Sequence, residues 1–311
     1  MNDRPAPAPV MRPAPTIATE LIALLERFAA HATLPRVRAL HLPRPECLDS
    51  RQGEFCALEL DDGALGLAFV LLGDTWARLS AGAGVAGLVG ADALEVARRY
   101  AGDDAVGRTL GMAAINALSR WVFDRVGYSA APSADSIGEL DPRPGDRVGM
   151  VGLFRPLLGR CTAAGAAVTV VELRADLVGE HDGYRVTLDA AELGRCNKVM
   201  CTSSVLLNGT VERILRHCAN AAQVAMIGPG AGCLPDPLFA RGVTLFGGSW
   251  IIDPPAVVDA LRAGESWSGH ARKYAIRRHE YPGLAQLARS GLGLSGLGLS
   301  GLGLDLERPR E

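Results

Sequence analysis

From residue 146 onward the chain keeps one rhythm, and no other feature restricts its fold as strongly. Short, nearly continuous apolar runs at 147–153, 167–173, 198–202, 223–228 and 243–246 recur about every 20 to 30 residues. Stretches with helical spacing, at 155–164, 188–195, 210–219 and 255–262, lie between or after them. In 210–219, for instance, Val211, Ile214, Leu215 and Cys218 share one face. Strands apolar on both faces and alternating with helices need cover on both sides. The spacing therefore predicts an α/β fold with a Rossmann-like parallel sheet.

The first half reads differently. Ile17, Leu21, Leu24, Leu25 and Phe28 place a helix over 16–31. A short apolar run follows at 37–42, and then two more, across 55–72, around Asp62-Gly63. A glycine after aspartate tolerates the positive φ of a tight turn, so 55–72 predicts a hairpin. Helical stretches at 91–100 and 104–123 complete a smaller α+β unit. Residues 124–145 are rich in Pro, Gly, Ser and Asp without periodicity, which marks a junction. The expected organisation is a flexible leader (1–15), a small α+β domain (16–123), a linker (124–145), a Rossmann-like domain (146–285) and a tail (286–311). A length of 311 residues suits two cores.

The tail carries SGLGL three times, from Ser290, Ser295 and Ser300. An exact five-residue repeat matches neither helical nor strand periodicity. It reads as a flexible tail or, because repeated leucines are costly to leave in water, as a contact segment for a partner or a second subunit.

Charge excludes some functions. The net charge is −2, so there is no basic excess to neutralise a phosphate backbone, and nucleic acid is not an expected partner. No run of about 18 apolar residues exists to span a membrane. The Pro/Ala-rich leader lacks the apolar segment of a secretion signal, so the expected location is cytoplasmic and the seven cysteines are expected to be reduced.

In an open α/β sheet, ligands bind at the carboxyl ends of the strands. That rule selects Gly152 and Pro156 after the first strand and Glu172 at the end of the second. It adds Thr202, Ser203, Ser204, Asn208 and Thr210 after the third, and Gly228 and Pro229 after the fourth. Glu172 could accept hydrogen bonds from a ribose, although Gly149-Met-Val-Gly152-Leu-Phe is not a dinucleotide glycine motif. Asn208 and Thr210 also suit the start of the following helix. Asn116 sits in a stretch that is apolar nearly all round, so it should be buried. It must then bond either a neighbouring backbone or a ligand between the domains. Cys201 and Cys233 are the cysteines best placed to meet a metal, yet the sequence has no C-x-x-C or H-E-x-x-H spacing.

Three stretches together resemble a known family: Gly111-Met-Ala-Ala-Ile-Asn116-Ala, Val148-Gly-Met-Val-Gly-Leu-Phe-Arg-Pro156, and the run from Cys201-Thr-Ser-Ser-Val-Leu-Leu-Asn-Gly-Thr210 through Met226-Ile-Gly-Pro-Gly230 to Leu238-Phe-Ala-Arg-Gly242. They are similar to bacterial and archaeal heavy-metal chelation proteins of otherwise unknown function. The resemblance covers roughly residues 16–285. It implies an enolase N-terminal-like domain joined to a Rossmann-like domain, with a cleft between them. It adds weight to Asn116, Gly152, Pro156, Glu172, Asn208, Thr210, Gly228 and Pro229. Here Gly230-Ala231-Gly232 stands where the family would carry a hydroxyl-bearing segment.

The expected function is binding of a small molecule, a metal chelate, or a divalent or heavy-metal ion in the interdomain cleft. One alternative is an enzyme using a nicotinamide or S-adenosylmethionine cofactor. Another is a non-catalytic oligomeric scaffold, and homo-oligomerisation is open in every case.

Overall fold

The computed structural model describes residues 14–134 and 139–292. Strands β1 (Val37–His41), β2 (Phe55–Leu60) and β3 (Leu65–Phe69) form an antiparallel sheet in that order. The β2–β3 turn closes at Gly63 with φ +93°, which is why a glycine follows Asp62. Around this sheet stand α1 (Ile17–Ala29), α2 (Thr75–Ser80), α3 (Ala93–Arg98) and α4 (Ala105–Arg125). Thr16 and Thr19 close a capping box at the start of α1. Helix α4 is buried on nearly every side and lies directly on β3. A Cβ at Gly66 would fall 2.0 Å from the Ala113 carbonyl oxygen, so glycine is what allows the helix and strand to meet.

The second sheet has nine strands. They are β4 (Ala131–Pro132), β5 (Arg147–Val151), β6 (Ala167–Val171), β7 (Gly179–His181), β8 (Tyr184–Thr187), β9 (Lys198–Thr202), β10 (Gln223–Ile227), β11 (Leu245–Ile251) and β12 (Ala271–Arg277). Their order is β4-β12-β11-β10-β9-β5-β6-β8-β7. The six strands from β11 to β8 are parallel, while β12 and β4 close one edge and β7 the other, all three antiparallel. Counted by position in the chain, the parallel strands lie 3-2-1-4-5-6. The order reverses between β5 and β9, as in doubly wound sheets.

Helices α5 (Arg155–Ala163), α6 (Val211–His217), α7 (Asp236–Phe239) and α8 (Pro254–Ala263) accompany this sheet, and α9 (Leu284–Leu292) follows it. The stretch at 188–195 is a 3-10 helix, Ala190–Arg195, opened by the Asp189 side chain accepting from the Ala191 N–H. Strands β7, β8 and β12 and helices α2 and α9 were not expected from the sequence. Helix α9 enters the segment read as tail. Ser290, Gly291 and Leu292 of the first SGLGL unit end it, and Leu292 packs on the core. The remaining repeats and residues 1–13 lie outside the described residues.

One cluster of buried side chains passes through both sheets. It includes Leu21, Phe28, Leu58 and Leu118 on one side and Cys201, Met226 and Phe246 on the other. Polar ties reinforce it: Tyr100 Oη donates to the Leu206 carbonyl (2.6 Å) and Arg120 Nη1 to that of Ile251 (2.8 Å). All seven cysteines are free thiols. No described helix is long and apolar enough to cross a membrane.

At the start of β5, Asp146 accepts from Lys198 Nζ (2.9 Å) and Asn197 Nδ2 (2.8 Å). These partners hold its carboxyl at about 2, below the usual carboxylate range. A depressed folded pKa contributes stability that is complete above the unfolded value, about 3.9, and is lost as pH falls towards 2. The urea midpoint of the wild type should therefore fall between pH 4 and 2, and in Asp146→Asn that decline should be shallower. Parallel pH profiles of the two proteins would show that this carboxylate is not the cause.

Candidate functional site

A cleft of about 960 Å³ opens where strand order reverses, at the carboxyl ends of β5, β9 and β10. The strand ends supply Leu153, Phe154 and Arg155 after β5, Thr202, Ser203 and Ser204 after β9, and Gly228 and Pro229 after β10. Strand β12 contributes Arg272, Lys273 and Tyr274, and Trp267 comes from the loop after α8. The other side is closed by Phe55 and Phe69 of the small sheet and by Arg51, Gln52 and Glu54 in the turn leading into β2.

Several expected residues therefore meet. The Thr202 and Ser204 hydroxyls lie 3.1 Å apart, and the Ser204 N–H donates to Thr202 Oγ1 (3.3 Å). Ser203 presses against the β10 loop. A Cβ at Gly228 would fall 2.3 Å from Ser203 Oγ, and Gly228 has φ +146°, so both space and backbone demand glycine there.

Other expected residues lie outside this lining. Glu172, at the end of β6, accepts the Leu153 N–H through Oε1 (2.6 Å) and the Leu173 N–H through Oε2 (3.1 Å). It thus braces the loop that carries Phe154 and Arg155. Gly152 holds φ +86° in the same loop, and Pro156 is the second residue of α5. Asn208 Oδ1 accepts from the Thr210 N–H (3.1 Å) and hydroxyl (2.6 Å), a local turn ahead of α6.

Asn116 is 3% exposed, and its Nδ2 donates to the carbonyls of Leu67 (2.7 Å) and Gly230 (3.0 Å). Two carbonyl acceptors fix which amide atom is nitrogen. Oδ1 has no partner among the described residues, and Asn116 lines a cavity of about 30 Å³, room enough for water. That cavity shares Pro229, Ser249 and Tyr274 with the wall of the main cleft.

Cys201 and Cys233 are both fully buried. Its neighbour Cys218, and then burial, push the Cys201 thiol well above the usual range. Burial pushes Cys233 up to about 12. Burial without a cationic partner disfavours the thiolate form that a metal would need at either position. Among the described residues no three His, Cys, Asp or Glu side chains gather as a metal site. These residues do not fit a metal ion held by protein atoms alone.

The cleft's charges were not anticipated from the sequence. Arg51, Arg155, Arg272 and Lys273 line it against a single carboxylate, Glu54. Burial raises the Glu54 pKa, and the Arg51 charge offsets part of that rise. Arg272 Nη2 donates to Ser129 Oγ (2.9 Å) and to the Ala130 carbonyl (2.8 Å), while its buried Nη1 has no partner among the described residues. Burial, then the charge of Arg120, lowers the Arg272 pKa. Arg120 and Arg272 both stack on Trp250, 4.5 and 5.3 Å from its ring.

Comparison with known proteins agrees with this architecture. A family model described as "Putative heavy-metal chelation" matches residues 135–279, and a second with the same description matches residues 51–119. The chain belongs to this family. An uncharacterized protein of Methanocaldococcus jannaschii is 29% identical over 182 residues, 56% of this chain and 67% of that protein. The crystal structure of a family protein of unknown function from Desulfitobacterium hafniense superposes with a TM-score of 0.61 at 18% identity. It covers 83% of this chain and 98% of that one. A second, from Pyrococcus horikoshii, gives 0.60 at 20% identity, covering 83% and 99%. At these identities the likeness is one of fold: a large, mostly parallel sheet joined to a smaller antiparallel one. The two family models supply the two sides of the cleft, with Arg51, Glu54 and Phe55 in one match and Arg155, Thr202 and Lys273 in the other.

Proposed function

We propose that this heavy-metal chelation family member binds an anionic small molecule, a metal chelate in particular, in the cleft between its two sheets. The observation that carries this reading is the charge of the lining: the cationic residues Arg51, Arg155, Arg272 and Lys273 line the cleft with one acidic residue, Glu54. Among the described residues Arg155 and Lys273 make no ion pair and Arg51 meets Glu54 only through a longer-range charge interaction, so these charges are available to a ligand. A chelate brings its own donor atoms to the metal. The protein then needs to recognise only the negatively charged shell, which suits a cleft without a cluster of metal-ligating side chains.

Calorimetric titration with citrate, ferric citrate and ferric or nickel ion without citrate tests this reading. Binding is expected for the citrate-containing probes and not for the free ions. Arg155→Gln combined with Lys273→Gln should weaken it at least about tenfold, since hydrogen bonds to charged groups contribute roughly 1.5–3 kcal/mol each. Affinity unchanged in that double variant, or stoichiometric binding of the free ion alone, would overturn the proposal.

The 3-2-1-4-5-6 strand order favours a second reading, a nicotinamide or S-adenosylmethionine cofactor at the carboxyl edge. The acid that would hold the ribose, Glu172, is however already bonded to the Leu153 N–H. Saturable binding of either cofactor in the same titration would restore this alternative.

A further inference from the structure

Aromatic residues make up 5% of the chain, yet five of them, Phe55, Phe69, Phe154, Trp267 and Tyr274, line this one cleft. Three form a connected wall. Phe55 and Phe69 are cross-strand partners in β2 and β3, with ring centroids 5.6 Å apart at 71°. Phe55 meets Trp267 at 6.3 Å and 85°. Phe55 and Trp267 are nearly buried, while Phe69 keeps part of its ring open. The cations lie around this wall: Arg51 precedes Phe55 by four residues, and Arg155 and Lys273 reach in from the large sheet.

A purely aliphatic polyanion would use only the cationic part of such a lining. It would leave the open part of Phe69, at the edge of that wall, facing water for no gain. Rings pack on rings edge-to-face or offset, and the gain goes beyond area burial.

Resting on the anion-binding reading above, we infer that the occupant carries a planar aromatic ring joined to an anionic group. The ring sits against the Phe55–Phe69–Trp267 wall, and the anion meets Arg51, Arg155 and Lys273. An aromatic polycarboxylate and a nucleoside monophosphate share this chemistry, so the test separates them.

Two pairs of probes matched in anionic group, but differing in the ring, decide the matter by calorimetry. Benzene-1,3,5-tricarboxylate is compared with propane-1,2,3-tricarboxylate, and adenosine 5′-monophosphate with ribose 5-phosphate. In at least one pair the aromatic member should bind about tenfold more tightly, and the pair that shows it names the source of the ring. Phe69→Leu should weaken the aromatic probe several-fold more than the aliphatic one and so shrink that advantage, a selective loss that general loss of structure would not produce. Equal affinities within both pairs would overturn this inference and leave the anion site standing. No binding by any of the four would overturn both. An aromatic advantage that survives Phe69→Leu would overturn the ring's placement on this wall.

Discussion

Asn116→Asp should destabilise the protein by about 4 kcal/mol, visible as a fall of roughly 10 °C in melting temperature. The amide nitrogen of Asn116 donates to Leu67 in β3 and to Gly230 in the loop after β10, so one side chain joins the small sheet to the floor of the cleft. Aspartate matches the shape but not the donors. An ionised carboxylate would face two carbonyl oxygens in a site only 3% exposed, and a protonated one could satisfy one of them at most. Asn116→Ala should cost somewhat less, because it strands the same two carbonyls without adding a charge. A melting curve for Asn116→Asp within about 2 °C of wild type would show that this bridge contributes little.

Asn116 also shows how far the sequence could be read. Its burial was legible, because the stretch around it is apolar on every face. Its partners were not, because Leu67 and Gly230 lie 49 and 114 residues away in the chain. The strands divide on similar grounds. β5, β6, β9 and β10 are nearly continuous apolar runs, as strands buried on both faces must be, whereas the run read at 243–246 meets β11 only at Leu245 and Phe246, because Gly247, Gly248 and Ser249 interrupt it. β12 stayed hidden because Arg272, Lys273 and Arg277 interrupt its apolar residues. It lies antiparallel beside β11, where part of it faces the cleft rather than a helix layer. β8 is only four residues long, too short for a period to show.

The candidate site divides the same way. The carboxyl-end rule depends only on strand positions, so it could name Thr202, Ser203, Ser204, Gly228 and Pro229, which line the cleft. Arg51, Glu54, Arg272 and Lys273 escaped because each looks like an ordinary surface charge in its own segment. Only the packing of the two sheets brings residues 51 and 273 to one cleft. Glu172 shows the limit of the rule from the other side. Its position at the end of β6 was right, but its carboxylate meets the Leu153 backbone rather than the cleft. A strand-end rule predicts where a side chain starts and says nothing of the nearest N–H it will find.

Gly248→Ala is the second substitution with a large expected effect, about 3 kcal/mol together with loss of the cleft's shape. Gly247 and Gly248 interrupt β11 in mid-strand, where glycine weakens a sheet unless another chain segment must come close. Here it must. A Cβ on Gly248 would lie 2.2 Å from the Ala231 carbonyl oxygen and 3.0 Å from the Tyr274 ring. That same carbonyl accepts the Tyr274 hydroxyl at 2.5 Å in a buried site, so it cannot move away without losing its partner. The added methyl must therefore shift either β11 or the loop 228–232, whose Gly228 and Pro229 form part of the lining and whose Gly230 carbonyl holds Asn116. Stability and anion affinity should fall together, and the double variant Asn116→Ala/Gly248→Ala should cost less than the two single changes summed, since both loosen one loop. Strict additivity in a double-mutant cycle would show that the two residues act on separate parts of the molecule. An affinity for citrate equal to that of the wild type in Gly248→Ala would show that the loop's position does not shape the site.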